Sequence, residues 1–169
     1  ADLRPVQPMP SLGRAIASAL VLAAGLVALH AMAMGLYGWE KLNTAQMGTF
    51  AALTGFALIT SVYCLVSSLQ PGTPRRIHPA LPLLLLTAGL PAWTLWWFPF
   101  QWHQHFLRDG LPCLAAGLLV AGFTGAITFS LARRGYSTNW PLTGALIGLF
   151  GGAVAAIALQ LSCPDHEVA

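Results

Sequence analysis

Five runs of roughly 20 residues, none containing an Asp, Glu, Lys or Arg, dominate this chain and dictate what it can fold into. They extend from Ala15 to Tyr37, Ala45 to Leu69, Ala80 to Phe98, Leu111 to Ala132 and Pro141 to Leu161. Each approaches the ~20 apolar residues that an α-helix needs to cross a ~30 Å hydrocarbon layer. The remainder cannot hold such runs in water. Only 8% of the 169 residues are charged and 56% are hydrophobic, whereas a soluble domain has about 25% charged residues. Disorder is excluded by the same balance, and three cysteines are too few for a disulfide scaffold. Nor do the runs alternate as barrel strands do. The expected fold is all-α: a polytopic transmembrane helix bundle forming one domain over residues 15–169, preceded by a cytoplasmic segment, 1–14. Arg14, the first run and Ala31-Met32-Ala33 imitate a secretory signal, but the run exceeds the about 7–15 residues of a signal's apolar region. The chain has no initiator Met and stops soon after the fifth run. A longer protein is therefore expected.

Charge sets the expected orientation. If the spans alternate, Arg4, Arg14, Arg75, Arg76, Arg133 and Arg134 fall on one side, with Asp2. Lys41 and Arg108 fall on the other, with Glu40, Asp109, Asp165 and Glu167. The base-rich side is cytoplasmic by the positive-inside rule. This places the amino terminus inside a bacterial inner membrane and the end of the fifth span outside. Trp39, Trp93, Trp96, Trp97, Trp102 and Trp140 lie near span ends, where amphipathic rings anchor at the interface.

Within the spans, small residues recur every fourth position. The fifth carries Gly144, Gly148, Gly152 and Ala156, and the fourth Gly117, Ala121 and Gly125. Such rows let helix backbones approach closely. Packing of the fourth span on the fifth as an antiparallel hairpin is expected, with docking of another subunit or helix as the sharper reading of the fifth row. Pro82 sits near the start of the third span, and Pro91 in its middle should kink the helix or, with Gly89, open it. The runs hold no midplane charge of the kind transporters use. His30 is the one titratable side chain deep in a span, a hydrogen-bonding group or a pigment or haem ligand. No haem-attachment, P-loop, nucleophile-elbow or zinc-protease motif occurs, so no enzyme is expected.

The outer face collects sulfur and imidazole. Cys113 opens the fourth span and Cys163 follows the fifth, with His103, His105 and His166 in the adjoining segments. Cys and His bind soft and borderline metals, and an oxidising compartment also permits a disulfide. A thiol or metal sensor, a disulfide, and scattered helix-end residues all fit this spacing. Cys64, near the inner end of the second span, reads as packing.

Several segments together resemble a known family. They are Leu3-Arg4-Pro5-Val6-Gln7-Pro8-Met9-Pro10, Pro71-Gly72-Thr73-Pro74-Arg75-Arg76-Ile77-His78-Pro79 and Gly110-Leu111-Pro112-Cys113-Leu114. Leu142-Thr143-Gly144-Ala145 and Ser162-Cys163-Pro164-Asp165 complete the set. In order and spacing they resemble the NrsF-type negative regulators of sigma factors, six-span bacterial membrane proteins. The resemblance implies an anti-sigma factor that holds an extracytoplasmic-function sigma factor on its cytoplasmic side, without touching nucleic acid itself. It also implies release of that partner by a stress signal linked to two cysteines, which match Cys113 and Cys163. The family continues into a sixth span where this chain ends. A competing class is an accessory subunit of a respiratory or photosynthetic complex, in which His30 would meet haem or chlorophyll. No cofactor is firmly implied; a metal ion at the outer Cys/His cluster is one reading of it.

The orientation is open to direct labelling. In a background without native cysteines, a membrane-impermeant thiol reagent added outside should modify Gln104→Cys and spare Gly72→Cys. The reverse pattern would invert the topology.

Overall fold

A computed structural model of the chain describes residues 11–36, 42–69, 76–97, 106–133 and 139–162. They form α1 (Leu12–Met34), α2 (Thr44–Leu69), α3 (Ala80–Trp97), α4 (Phe106–Ala132) and α5 (Trp140–Ser162). No strand occurs among the described residues. All five helices are long and apolar enough to cross a membrane, as the uncharged runs predict.

Local chemistry moves the helix ends away from the hydropathy boundaries. α1 starts at Leu12 rather than Ala15 and ends at Met34, short of Tyr37. Gly35 follows at φ 87° and donates its N–H to Ala31 O at 2.8 Å. That left-handed conformation suits glycine and stops the helix. At the start of α2, Asn43 Oδ1 accepts the Gln46 N–H at 2.8 Å while Gln46 Oε1 accepts the Asn43 N–H at 2.9 Å. This reciprocal capping box satisfies two otherwise unpaired donors. Asn139 Oδ1 caps α5 by accepting the Leu142 N–H at 3.1 Å. α4 begins at Phe106, upstream of the expected Leu111, and passes through Pro112 without breaking.

α3 absorbs its prolines instead of opening. Ala80–Leu84 and Leu90–Trp97 are α-helical, joined by a π-helical turn over Leu85–Gly89. The Leu90 N–H reaches Leu85 O, five residues back. Pro91 has no N–H and its ring crowds the carbonyl four residues earlier. The wider π turn relieves that crowding within a continuous helix.

The short links impose antiparallel neighbours. Residues 35–43 reach at most ~30 Å when extended, less than the ~39 Å length of α2 at 1.5 Å per residue. Half of the most apolar stretch of both α2 and α5 is buried, against 6% in α1, 11% in α3 and 17% in α4. α2 and α5 are therefore the centre, with α1 and α4 flanking α5 and α3 lying on α2. One core cluster joins Ala23 of α1 to Val62 and Val66 of α2 and to Phe150 and Val154 of α5. A second joins Cys64 and Leu65 of α2 to Ala132 of α4 and to Leu146 and Ile147 of α5. α3 is pinned at its far end, where Trp93 Nε1 donates to Thr49 Oγ1 at 2.8 Å and its ring lies 5.1 Å from that of Phe50.

α4 and α5 form the expected antiparallel hairpin, and the row on α4 faces α5. A Cβ placed on Gly117 would meet Leu159 Cδ1 at 2.5 Å, and one on Gly125 would lie 3.8 Å from Ile147. The row expected to make the contact on α5 does not. Gly144, Gly148 and Gly152 are exposed, with none of the described residues within 4 Å of a Cβ at any of them. The contact runs instead through Gly151, one residue along and about 100° around the helix. A Cβ there would lie 2.8 Å from Ala121 O and 3.5 Å from its carbonyl carbon. Backbone cannot yield as a side chain does, so only glycine fits. Within the chain, the stripe at Gly144, Gly148 and Gly152 is thus a free face.

Gly151→Ala should lower the melting temperature of the detergent-solubilised protein, at a cost of about 1–3 kcal/mol typical of overpacking. Gly148→Ala should leave it unchanged. Equal melting temperatures for the two variants would show that α4 and α5 do not touch at Gly151.

Candidate functional site

Buried hydroxyls in this fold turn back on their own helices. Thr54, Thr60 and Ser61 donate to Phe50 O, Phe56 O and Ala57 O at 2.7–2.8 Å. Thr124 and Thr128 do the same on α4, to Val120 O and Thr124 O, both at 2.7 Å. Such local bonds remove unpaired donors from a medium without water. The polar groups left for recognition stand at the two ends of the bundle.

One end, where α1 begins, α2 ends and α5 begins, is basic. Arg14, Arg76 and Arg133 are exposed there, and the described residues at this end include no acid. The Arg133 guanidinium lies 5.8 Å from the centre of the Phe129 ring, which meets Trp140 edge-on at 6.3 Å. A cation over an aromatic face is attracted by the ring quadrupole. Ser68 Oγ and Thr143 Oγ1 are 3.5 Å apart between α2 and α5, and Cys64 Sγ lies 3.8 Å from Ile77 O. Cys64 is otherwise a core residue, as its position suggests. Beside this seam an apolar groove of about 440 Å³ runs between Pro79, Ala80 and Leu83 and the α5 residues Leu142, Ala145 and Leu149. Arg4, Arg75 and Arg134, which the sequence assigns to the same surface, lie outside the described residues.

The opposite end carries the thiol. Cys113 of α4 is free and half-buried. Its proposed companions Cys163, His103, His105 and His166 all lie outside the described residues. Among the described residues, no three His, Cys, Asp or Glu side chains converge as a metal centre would require. His30 stands on α1, half-buried, and its Nε2 is buried without a hydrogen-bond partner. Ser162, the last residue of α5, is 6% exposed and its Oγ is likewise unpartnered.

Sequence reasoning singled out His30 as a hydrogen-bonding group or a pigment or haem ligand, and gave Ser162 no role beyond its place in a family motif. The usable signal for His30 is its spacing. It follows Ala23 by seven residues, two helical turns, on the face that includes Leu12, Ile16 and Ala19. For Ser162 there is no such signal, because its burial comes from its neighbours.

No solved structure and no curated protein matches the chain. One family model does, that of the NrsF family, described as negative regulator of sigma F. It matches residues 1–169, and the chain belongs to that family of sigma-factor regulators.

Proposed function

We propose that this protein is an integral inner-membrane anti-sigma factor. It holds an extracytoplasmic-function sigma factor at its basic end and releases it when a metal or redox signal reaches the thiol end. The observation that carries this reading is membership of the family over the whole chain. The geometry supports it. Arg14, Arg76 and Arg133 stand at one end of the bundle and Cys113 opens α4 towards the other, with the α4–α5 hairpin joining them. In the bilayer the amino terminus is cytoplasmic, so the basic end faces the cytoplasm and Cys113 the envelope.

The basic surface comprises Arg4, Arg14, Arg75, Arg76, Arg133 and Arg134, some of which serve topology and anionic lipid rather than the partner. The amino-terminal segment, with prolines at positions 5, 8 and 10, would present side chains to the partner. On the other face, Cys113 and Cys163 with His103, His105 and His166 form the sensor. A ligand there displaces the ends of α4 and α5. The Gly151 contact leaves those two helices little freedom to slide, so the displacement reaches Arg133 as a change between two arrangements. The role is regulatory, and no residue is assigned to catalysis. Family membership favours this reading over that of a respiratory or photosynthetic accessory subunit.

Deleting residues 1–13 should raise transcription of the sigma factor's targets while the protein still inserts. Unchanged transcription would remove the sigma factor from the basic end. Cys113→Ser and Cys163→Ser should each repress normally in unstressed cells and lose induction by metal or oxidant. Normal induction in both variants would mean the thiols are helix-end packing.

A further inference from the structure

α3 meets α5 through its π-helical turn, Leu85–Gly89. Between that turn and the basic end, the apolar groove of about 440 Å³ separates the two helices. Pro79, Ala80 and Leu83 form one wall and Leu142, Ala145 and Leu149 the other. Gly148 is part of the lining, and a Cβ there would have open space around it. Leu83, Ala145 and Gly148 are exposed, so the groove opens away from the bundle. On its inner side Pro79 and Leu142 also border a notch of about 10 Å³ beside Ser67 and Ser68. That is space for one water at most. The groove is therefore blind towards the bundle and open towards hydrocarbon. It follows α5 for the seven residues from Leu142 to Leu149, about 10 Å, and every side chain lining it is apolar. Such a shape takes an alkyl chain.

Charge decides which lipid carries that chain. Arg76 precedes Ile77, which packs on the cluster of Leu65 and Leu146, as do the wall residues Leu142 and Leu149. Arg133 follows Ala132, a member of the same cluster. Each arginine is thus the chain neighbour of a residue packed against the groove's own wall. Both are exposed, with no acid among the described residues at this end. The contact of Arg133 with Phe129, itself edge-on to Trp140 at the start of α5, keeps that guanidinium beside the first turn of α5. Arg14 belongs elsewhere, because its neighbours Leu12 and Ala15 pack on the other cluster, that of Val62 and Phe150.

We propose that the groove binds one acyl chain of an anionic phospholipid whose headgroup phosphate is held by Arg76 and Arg133. Guanidinium meets phosphate through parallel N–H donors, and basic pockets between spans attract anionic headgroups. A zwitterionic lipid fills the groove equally well, but its ammonium opposes the two guanidinium groups. A second copy of the chain, inserted in the same orientation, would set its own arginines beside these, like charge against like. The assignment does not depend on the sigma-factor reading, and it leaves Arg14 for a protein partner.

Native mass spectrometry of the purified full chain released from detergent micelles tests this. The probes are phosphatidylglycerol, phosphatidylcholine with the same acyl chains, and inorganic phosphate. The parent should prefer phosphatidylglycerol by about 25-fold, about fivefold for each guanidinium. Arg76→Gln and Arg133→Gln should each remove about fivefold of that preference, and Arg14→Gln, the same loss of charge, should remove none. Gly148→Leu should weaken both lipids by at least about fourfold, the worth of one displaced methylene, and leave the preference intact. If Leu at that position disturbs the fold, Ala145→Leu is read by the same criterion. Inorganic phosphate should not displace the lipid. Equal affinity of the parent for the two lipids overturns the proposal, as does a preference unchanged in Arg76→Gln and Arg133→Gln. An equal loss in Arg14→Gln also overturns it, since the bases then act as diffuse surface charge. So do unchanged affinities in the groove variants, or displacement by inorganic phosphate. A two-chain species that disappears in Gly148→Leu would give the groove to a second copy instead.

Discussion

The approach of the Ala121 carbonyl to Gly151 sets the geometry on which the other helices depend. A Cβ at that position would lie 2.8 Å from a backbone oxygen, so α4 and α5 meet where one has no side chain. In lipid this matters more than in water. Tails are as apolar as leucine, so helices gain little from hiding apolar surface and associate through close packing. Bringing α4 in close frees the neighbouring faces of α5 for Phe150 and Val154, which reach α1 and α2, and for Leu146 and Ile147, which meet Leu65 and Ala132. α5 becomes the axis, and α3, held by Trp93 on Thr49 and Phe50, is an outer element.

A second constraint is the cost of unpaired polar atoms where water is scarce. The chain buries Thr54, Thr60, Ser61, Thr124 and Thr128 almost completely, yet each donates to a carbonyl on its own helix. These residues add polarity without demanding a partner helix. Ser68 and Thr143 combine such local bonds with a contact across α2 and α5. Against that background, orphaned atoms at His30 and Ser162 are departures from a rule the chain otherwise follows. Local conflicts of this kind are expected where function overrides stability.

Much of the fold was legible in the sequence because the bilayer makes hydropathy decisive. Uncharged runs of spanning length admit few alternatives, and the links are too short for anything but antiparallel neighbours. Helix ends were less legible, because Gly35 and the Asn43–Gln46 box act through backbone geometry that hydropathy does not see. The α5 contact was misplaced by one residue. Gly151 and Gly152 are adjacent and equally small, and only the position of α4 decides between faces about 100° apart. The position of Cys113 near a helix end was legible in the sequence. The burial of Ser162 was not, since it depends on which helices surround the last turn of α5. His30 was visible as an oddity, but the burial of its Nε2 without a partner was not.

If, as proposed, a signal acts at one end and a partner at the other, α1, α4 and α5 are the candidates for carrying information, and they differ in how they could do so. α4 and α5 are locked at Gly151, so they resist sliding and respond as a pair. α1 is the least buried span and joins the bundle largely through Ala23 and the apolar residues beside it. A ligand can shift an equilibrium only by its differential affinity for two arrangements, and a loosely held helix supplies a second arrangement at small cost. α1 also carries Arg14 at its other end. Any displacement of α1 therefore reaches Arg14 through one continuous helix.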